Sequence, residues 1–188
     1  MRKVILGVGI SIDGYIARKN GAVDFLFIPD DYPIGEFAKN CDIALMGRKT
    51  FDVSRKMGGS FGDSLRPYVF SRKKAAGERQ GVTYTRQTPA RLLAALRKQP
   101  GKDIWLMGGG EMARAFLKAD LVDELYLGIV PVLLGSGIPL FPAGFPQREF
   151  ELLENKTYSK GLVSLRYARL RVSKNANKPS AKKKPNRV

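Results

Sequence analysis

Three successive glycines, Gly108, Gly109 and Gly110, stand between an apolar run, IWLM, and a segment with helical spacing, EMARAF. Bare backbone at such a junction lets a strand turn sharply into a helix. It also lets a ligand approach the helix N-terminus, with its free N–H groups and partial positive charge. Phosphate or pyrophosphate is the natural guest. Tight packing of helix on sheet explains one such glycine but hardly three. An earlier stretch, IALMGRKTF from Ile43 to Phe51, repeats the grammar with Gly47, two cations at Arg48 and Lys49, and the hydroxyl of Thr50. A third strand end, VFSRK, adds Ser71 and Arg72. Arginine suits a phosphate monoester because its planar fork donates in pairs.

The surrounding pattern supplies the strands and helices that these turns require. Strands are expected at Val4 to Ile10, Ile43 to Met46, Pro67 to Phe70, Val82 to Thr85, Ile104 to Met107 and Asp123 to Val130. Helices are expected at Asp31 to Lys39, Arg48 to Lys56 and Glu111 to Lys118. Another is expected over TPARLLAALRKQ, with Thr88 as N-cap and Pro89 at the first helical position. Gly58, Gly59 and Gly62 break the chain before the third strand. Residues 11–25 and 131–142 read as loops, the first with turns at Asp13-Gly14 and Asn20-Gly21. Phe150 to Tyr158 and Leu162 to Val172 are joined too closely for a crossover and so form an antiparallel hairpin. The fold class is α/β: a three-layer sandwich whose central, mostly parallel sheet carries an antiparallel C-terminal hairpin. Ligands of open α/β sheets bind at the carboxyl ends of the strands, where all three motifs fall.

Composition removes whole classes of chemistry. The 188 residues include no histidine and one cysteine, Cys41. Histidine-dependent nucleophilic schemes and histidine or multi-cysteine metal sites are therefore absent, and a reducing, cytoplasmic setting is expected. An enzyme of this composition leaves the hard chemistry to an organic cofactor. No apolar run is long enough to cross a bilayer. The formal charge is +16, but residues 173–188 hold six lysines and arginines and no acid. That segment is expected to be a disordered basic tail following one domain at 1–172. A solvated appendage is one reading of it, and an arm for nucleic acid is the other.

The usual nucleotide fingerprints fail. Ile12 stands where a third glycine would follow Gly7 and Gly9, and GRKT lacks the upstream glycine of a P-loop. The ordered series SIDGYIA, LMGRKTF, VFSRK, LMGGGEMARAF and VPVLLGSGIPLF instead resembles the dihydrofolate reductase superfamily. It is most similar to the branch containing the C-terminal reductase domain of riboflavin biosynthesis, and the resemblance covers about Met1 to Val172. Ala113 stands where folate reductases usually carry a tyrosine, which sets the chain apart from them.

The resemblance implies a dihydrofolate reductase-like fold and NADPH as cofactor. Gly47, Arg48, Lys49 and Thr50, with Ser71 and Arg72, would hold the adenosine side and its 2′-phosphate. Gly108, Gly109, Gly110, Glu111 and Met112 would cradle the pyrophosphate, and the loop from Ser11 to Gly21 would cover the nicotinamide. Asp13 and the backbone of Gly135, Ser136 and Gly137 are the candidate substrate contacts, with an ordinary interstrand connection as the other reading of 133–141. Folate enzymes place a carboxylate on the helix before the MGR strand. Glu36 is the first candidate for that acid and Asp31 the second, and a surface or capping role is the alternative for each. The implied activity is transfer of hydride to a C=N or C=O of a small, pyrimidine- or pterin-like substrate by a homodimer. Reduction of 5-amino-6-(5-phosphoribosylamino)uracil is the specific alternative. A nucleic-acid-binding module using the tail is the alternative of another class.

Overall fold

A computed structural model of the chain describes residues 1–59, 61 and 64–171. The expected tail at 173–188, Gly62 of the glycine-rich break and Val172 lie outside the described residues.

Alternating strands and helices run β1 (Val4–Ser11), β2 (Tyr15–Ala17), α1 (Ile34–Lys39), β3 (Cys41–Gly47), α2 (Arg48–Lys56), β4 (Arg66–Phe70), β5 (Gly77–Arg79), β6 (Val82–Thr85) and α3 (Pro89–Leu96). They continue with β7 (Asp103–Leu106), α4 (Gly110–Lys118), β8 (Glu124–Val130), β9 (Ile138–Pro139), β10 (Phe150–Thr157) and β11 (Val163–Arg169). Among the described residues, nine strands form one sheet in the order β10-β11-β8-β1-β7-β3-β4-β6-β5. Its centre is parallel, from β8 through β6. The C-terminal hairpin adds an antiparallel edge, as its short connection required.

Three short strands depart from the sequence reading. β5 adds an antiparallel strand at the far edge, and it has no apolar residue to announce it. β2 and β9 lie within the two segments expected to be loops and pair with each other in a separate two-stranded sheet. Their pairing joins residues 15–17 to 138–139, a contact that no local periodicity encodes.

Side-chain alternation builds the layers. On one face, Val4, Leu6, Ile104 and Leu106 pack beneath Leu92, Leu93 and Leu96 of α3 and Phe116 and Leu117 of α4. On the other, Ala44, Met46 and Val69 meet Phe51 of α2, while Phe37 of α1 and Trp105 pack against the same cluster. α3 begins where its cap dictates: Thr88 Oγ accepts the Arg91 N–H at 3.3 Å, and Pro89 opens the first turn. Cys41 is buried at the start of β3, and burial pushes its thiol up to about 12, so it is a packing residue.

The amino ends of the strands carry ion pairs. Glu124 is buried between Lys3 at 2.6 Å and Arg166 at 2.8 Å. Asp123 holds Arg97 at 2.6 Å and Arg171 at 2.7 Å, and Arg2 is buried against Asp42. Part of the basic excess is thus used to fasten the strand ends opposite the glycine turns. Among the described residues, no helix is long and apolar enough to cross a membrane.

Candidate active site

The two glycine turns interlock. β3 and β7 are neighbours, with Leu45 opposite Leu106, and the Met107 N–H continues the pairing to the Leu45 carbonyl at 2.9 Å. Gly108 and Gly109 then take left-handed conformations with φ of +91° and +84°. A Cβ on Gly108 would lie 2.7 Å from Val8 Cγ1, and one on Gly109 would lie 3.0 Å from Thr50 Oγ1. Across the gap, Gly47 faces Met112, whose Cγ would be 3.4 Å from an added Cβ. These contacts bring residues 47–50 and 108–112 to a single place. Ser71 joins them from the next strand, since β3 pairs with β4 as far as Gly47 and Phe70.

Gly110 has a different reason to be bare. An added Cβ would stand 2.4 Å from the Pro139 carbonyl oxygen and 3.3 Å from Pro142 Cδ. The third glycine, expected in the phosphate cradle, seats the segment around β9 against α4.

The helix ends at this edge are electrically exposed. α3 has its Thr88 cap, whereas α2 and α4 begin at Gly47 and Gly109 with no side-chain cap. The first turn of α2 contains no acid and opens with Arg48 and Lys49, placing two cations at the positive end of the helix dipole. Arg48 pairs with Asp52 one turn on, and Lys49 is exposed. In α4, Glu111 occupies the first turn and pairs with Arg114. Ser71 is buried, its Oγ accepting the Lys74 N–H at 3.0 Å, while Arg72 is exposed.

The substrate-side candidates also meet, but they meet one another. Asp13 Oδ1 accepts the Ser11 hydroxyl at 2.6 Å, and Asp13 Oδ2 accepts the N–H groups of Leu134 at 3.1 Å and Gly135 at 2.7 Å. The Gly135 amide, a candidate substrate contact, thus donates to the chain's own carboxylate. Those bonds, the Ser11 hydroxyl first, hold the Asp13 carboxyl below its ordinary value. Gly135 turns with φ of +68°, and a Cβ on Gly137 would lie 2.4 Å from the Ala17 carbonyl. Gly135 serves the turn, Gly137 serves the packing of this segment on the first loop, and Ser136 is exposed.

The two acid candidates are separated. Asp31 accepts the backbone N–H of Ser159 at 2.9 Å and its hydroxyl at 2.8 Å, which keeps the carboxyl ionised and ties it to the hairpin turn. Asp31, the second candidate for the acid, thus has both oxygens engaged by Ser159. Glu36 is exposed in the first turn of α1, next to Phe37.

A cleft of about 340 Å³ opens between α1 and α2, lined in part by Gly35, Ala38, Ser54, Phe61, Trp105 and Met107. Its walls escaped the sequence reading. Phe37 packs edge-on to Trp105 at 5.1 Å and against Tyr126 at 4.9 Å. Gly7 makes room for this layer: an added Cβ would lie 2.7 Å from Trp105 Nε1, which donates to the Gly7 carbonyl at 2.8 Å. The available signal was the alternation of β7, which turns the chain's one tryptophan away from Ile104 and Leu106. A larger, open depression of about 440 Å³ beside β5 and β6 contains none of the nominated residues. The smaller cleft adjoins the glycine turns through Met107 and α2, and for that reason it is the relevant one.

This sheet order, with uncapped glycine turns at the carboxyl ends of β3 and β7, defines the dihydrofolate reductase-like class. The chain belongs to the RibD C-terminal domain family, whose pattern matches residues 2–164. It is 33% identical to YyaP of Bacillus subtilis (strain 168) over 88% of this chain and 94% of that protein. It is 31% identical to YwjB of the same organism, over 89% and 98% respectively. A Shewanella sp. PV-4 structure, provisionally named a riboflavin biosynthesis protein, superposes with a TM-score of 0.79. It is 25% identical and covers 91% of this chain and 100% of that one. In fold alone the chain also matches a Thermotoga maritima diaminohydroxyphosphoribosylaminopyrimidine deaminase/5-amino-6-(5-phosphoribosylamino)uracil reductase, with a TM-score of 0.69 and 14% identity. That match covers 90% of this chain and 57% of the Thermotoga one.

Proposed function

We propose that this protein is a cytoplasmic, NADPH-dependent reductase acting on a C=N or C=O of a small heterocyclic substrate. The observation that carries the reading is the placement of Arg48 and Lys49 at the uncapped start of α2, against the left-handed Gly108-Gly109 turn. Cations there work against the helix dipole, and an anionic ligand relieves the conflict. The residues fit the cofactor: Arg48, Lys49 and Thr50, with Ser71 and Arg72, would hold the 2′-phosphate side, and the Gly108-Gly109 turn with the first amides of α4 would hold the pyrophosphate. When bound, NADPH supplies the hydride.

The chain's own part is orientation and exclusion of water. Trp105 and Phe61 offer flat apolar walls for a heterocycle in the α1/α2 cleft. Asp13 holds the first loop against 134–135 at the same end of the sheet. Glu36 remains the acid candidate, because Asp31 is committed to Ser159.

Calorimetric titration with NADPH and NADH tests the reading. Wild type is expected to bind NADPH, and Arg48→Ala to weaken NADPH by about 1–3 kcal/mol more than NADH. Equal losses for both dinucleotides, or no NADPH binding by folded protein, would overturn it. A narrower reading, reduction of 5-amino-6-(5-phosphoribosylamino)uracil, is favoured by the fold shared with the Thermotoga enzyme. Turnover of that pyrimidine with NADPH decides it.

A further inference from the structure

We propose that Asp52 is a resident counter-ion that occupies Arg48 until a phosphate displaces it, and that it thereby sets the dinucleotide preference of the α2 turn. The inference rests on the cofactor reading above. Asp52 is the one acid in α2, whose sequence is RKTFDVSRK. It lies one turn beyond Arg48 and pairs with it, and the two side chains are 46% and 39% exposed.

The order of the pair makes a stabilising role a poor explanation. An acid placed before a base favours a helix because both charges then oppose the dipole. Here the base comes first, at the positive end, and the acid sits where the dipole offers it nothing. An exposed pair of this kind is weakly held, so its partners can exchange. Arg48 is next to Lys49 and two residues from Thr50, whose hydroxyl faces Gly109. A phosphate at that turn would accept from both cations and from the open N–H groups of the helix start together, and so outcompete a carboxylate that engages Arg48 alone.

Asp52 therefore opposes the same ligand that Arg48 attracts, by holding the guanidinium and by repelling the incoming anion. It distinguishes ligands as well, because a dinucleotide lacking the 2′-phosphate has no group that must displace it. Asp52 acts through Arg48 and is a positioning residue.

The test is a double-mutant cycle read by calorimetric titration with NADPH and with NADH, independent of turnover. Asp52→Asn keeps the size of an exposed side chain and removes its charge, and circular dichroism checks the fold. The variant is expected to bind NADPH about 3- to 10-fold more tightly, as loss of a competing surface pair and a like charge predicts, with NADH changed less than about twofold. In an Arg48→Ala background the gain should vanish. Rising salt should shrink the gain, because the interaction is solvent-exposed. An Asp52→Asn variant that binds NADPH no more tightly, gains equally for NADH, or keeps its gain without Arg48 overturns the proposal. If wild type prefers NADPH through Arg48 while Asp52→Asn is silent, the cofactor reading stands and only Asp52's role falls. If wild type binds neither dinucleotide, both fall together.

Discussion

Gly109 faces Thr50 so closely that a methyl group on the glycine would lie 3.0 Å from the threonine Oγ1, across the gap between two helix starts. The glycine also has φ of +84°, where an L side chain is strained. Gly109→Ala is therefore expected to lower stability by about 1–2 kcal/mol. It should weaken NADPH and NADH alike by about tenfold, through lost amide bonds to the pyrophosphate. Thermal unfolding and titration measure the two effects separately. Unchanged binding in a destabilised variant would reduce the turn to a packing device.

Gly110→Ala should behave differently. Its methyl would strike the Pro139 carbonyl, so the disturbance should travel into residues 138–142 and the β2/β9 pair. Hydrogen exchange is expected to show faster exchange there than in α4. The reverse pattern would return Gly110 to the phosphate cradle.

Asp13 fastens two loops that are 121 and 122 residues apart at their contacts. Asp13→Asn removes the charge that accepts both amides, so the Leu134 and Gly135 N–H groups should exchange faster while β8 is unaffected. The tie also has a pH signature. A carboxyl whose folded value lies below its ordinary 3.8 holds the tie fully above that value and releases it as pH falls through the lower folded one. Loop exchange that does not respond to Asp13→Asn would contradict the assignment.

Glu124 predicts how acid weakens the fold. Burial raises its carboxyl, but hydrogen bonds from Lys3 and Arg166 outweigh burial and leave it below its ordinary 4.5. Its contribution is present above pH 4.5 and is lost as pH falls through the folded value. Glu124→Gln should cost about 1–3 kcal/mol near neutrality, since both cations are half-exposed and rehydrate. The variant should also flatten the acid limb of a denaturant-derived stability profile. An unchanged acid limb would move the sensitivity to other carboxylates.

A homodimer of the kind the resemblance implies would find a suitable edge in the C-terminal hairpin. β10 is the outermost strand, and Leu152 and Leu153 are 48% and 51% exposed on it. Replacing both leucines with lysine is expected to halve the mass measured by sedimentation equilibrium. A mass that stays at two chains would place the interface elsewhere.

By itself, the sequence determined the central sheet, helices α1 to α4 and the two glycine turns. These depend on local rules: alternation along β1, β3 and β7, the Thr88-Pro89 start of α3, and the bare backbone between a strand and a helix. Arg48, Lys49, Gly108 and Gly109 were legible as strand-to-helix turns because such a turn is written in consecutive residues. Only the tertiary structure decided what the remaining candidates touch. Asp13 meets Gly135, Asp31 meets Ser159, Gly110 meets Pro139 and Gly7 meets Trp105 through chain reversals whose partners carry no mutual signal in sequence. β5, β2 and β9 were missed for the same reason: strands of two or three residues owe their existence to an edge already built beside them. The local chemistry of a glycine turn is thus fixed by neighbours in sequence, whereas the identity of a loop tie or a cleft wall is fixed by neighbours in space.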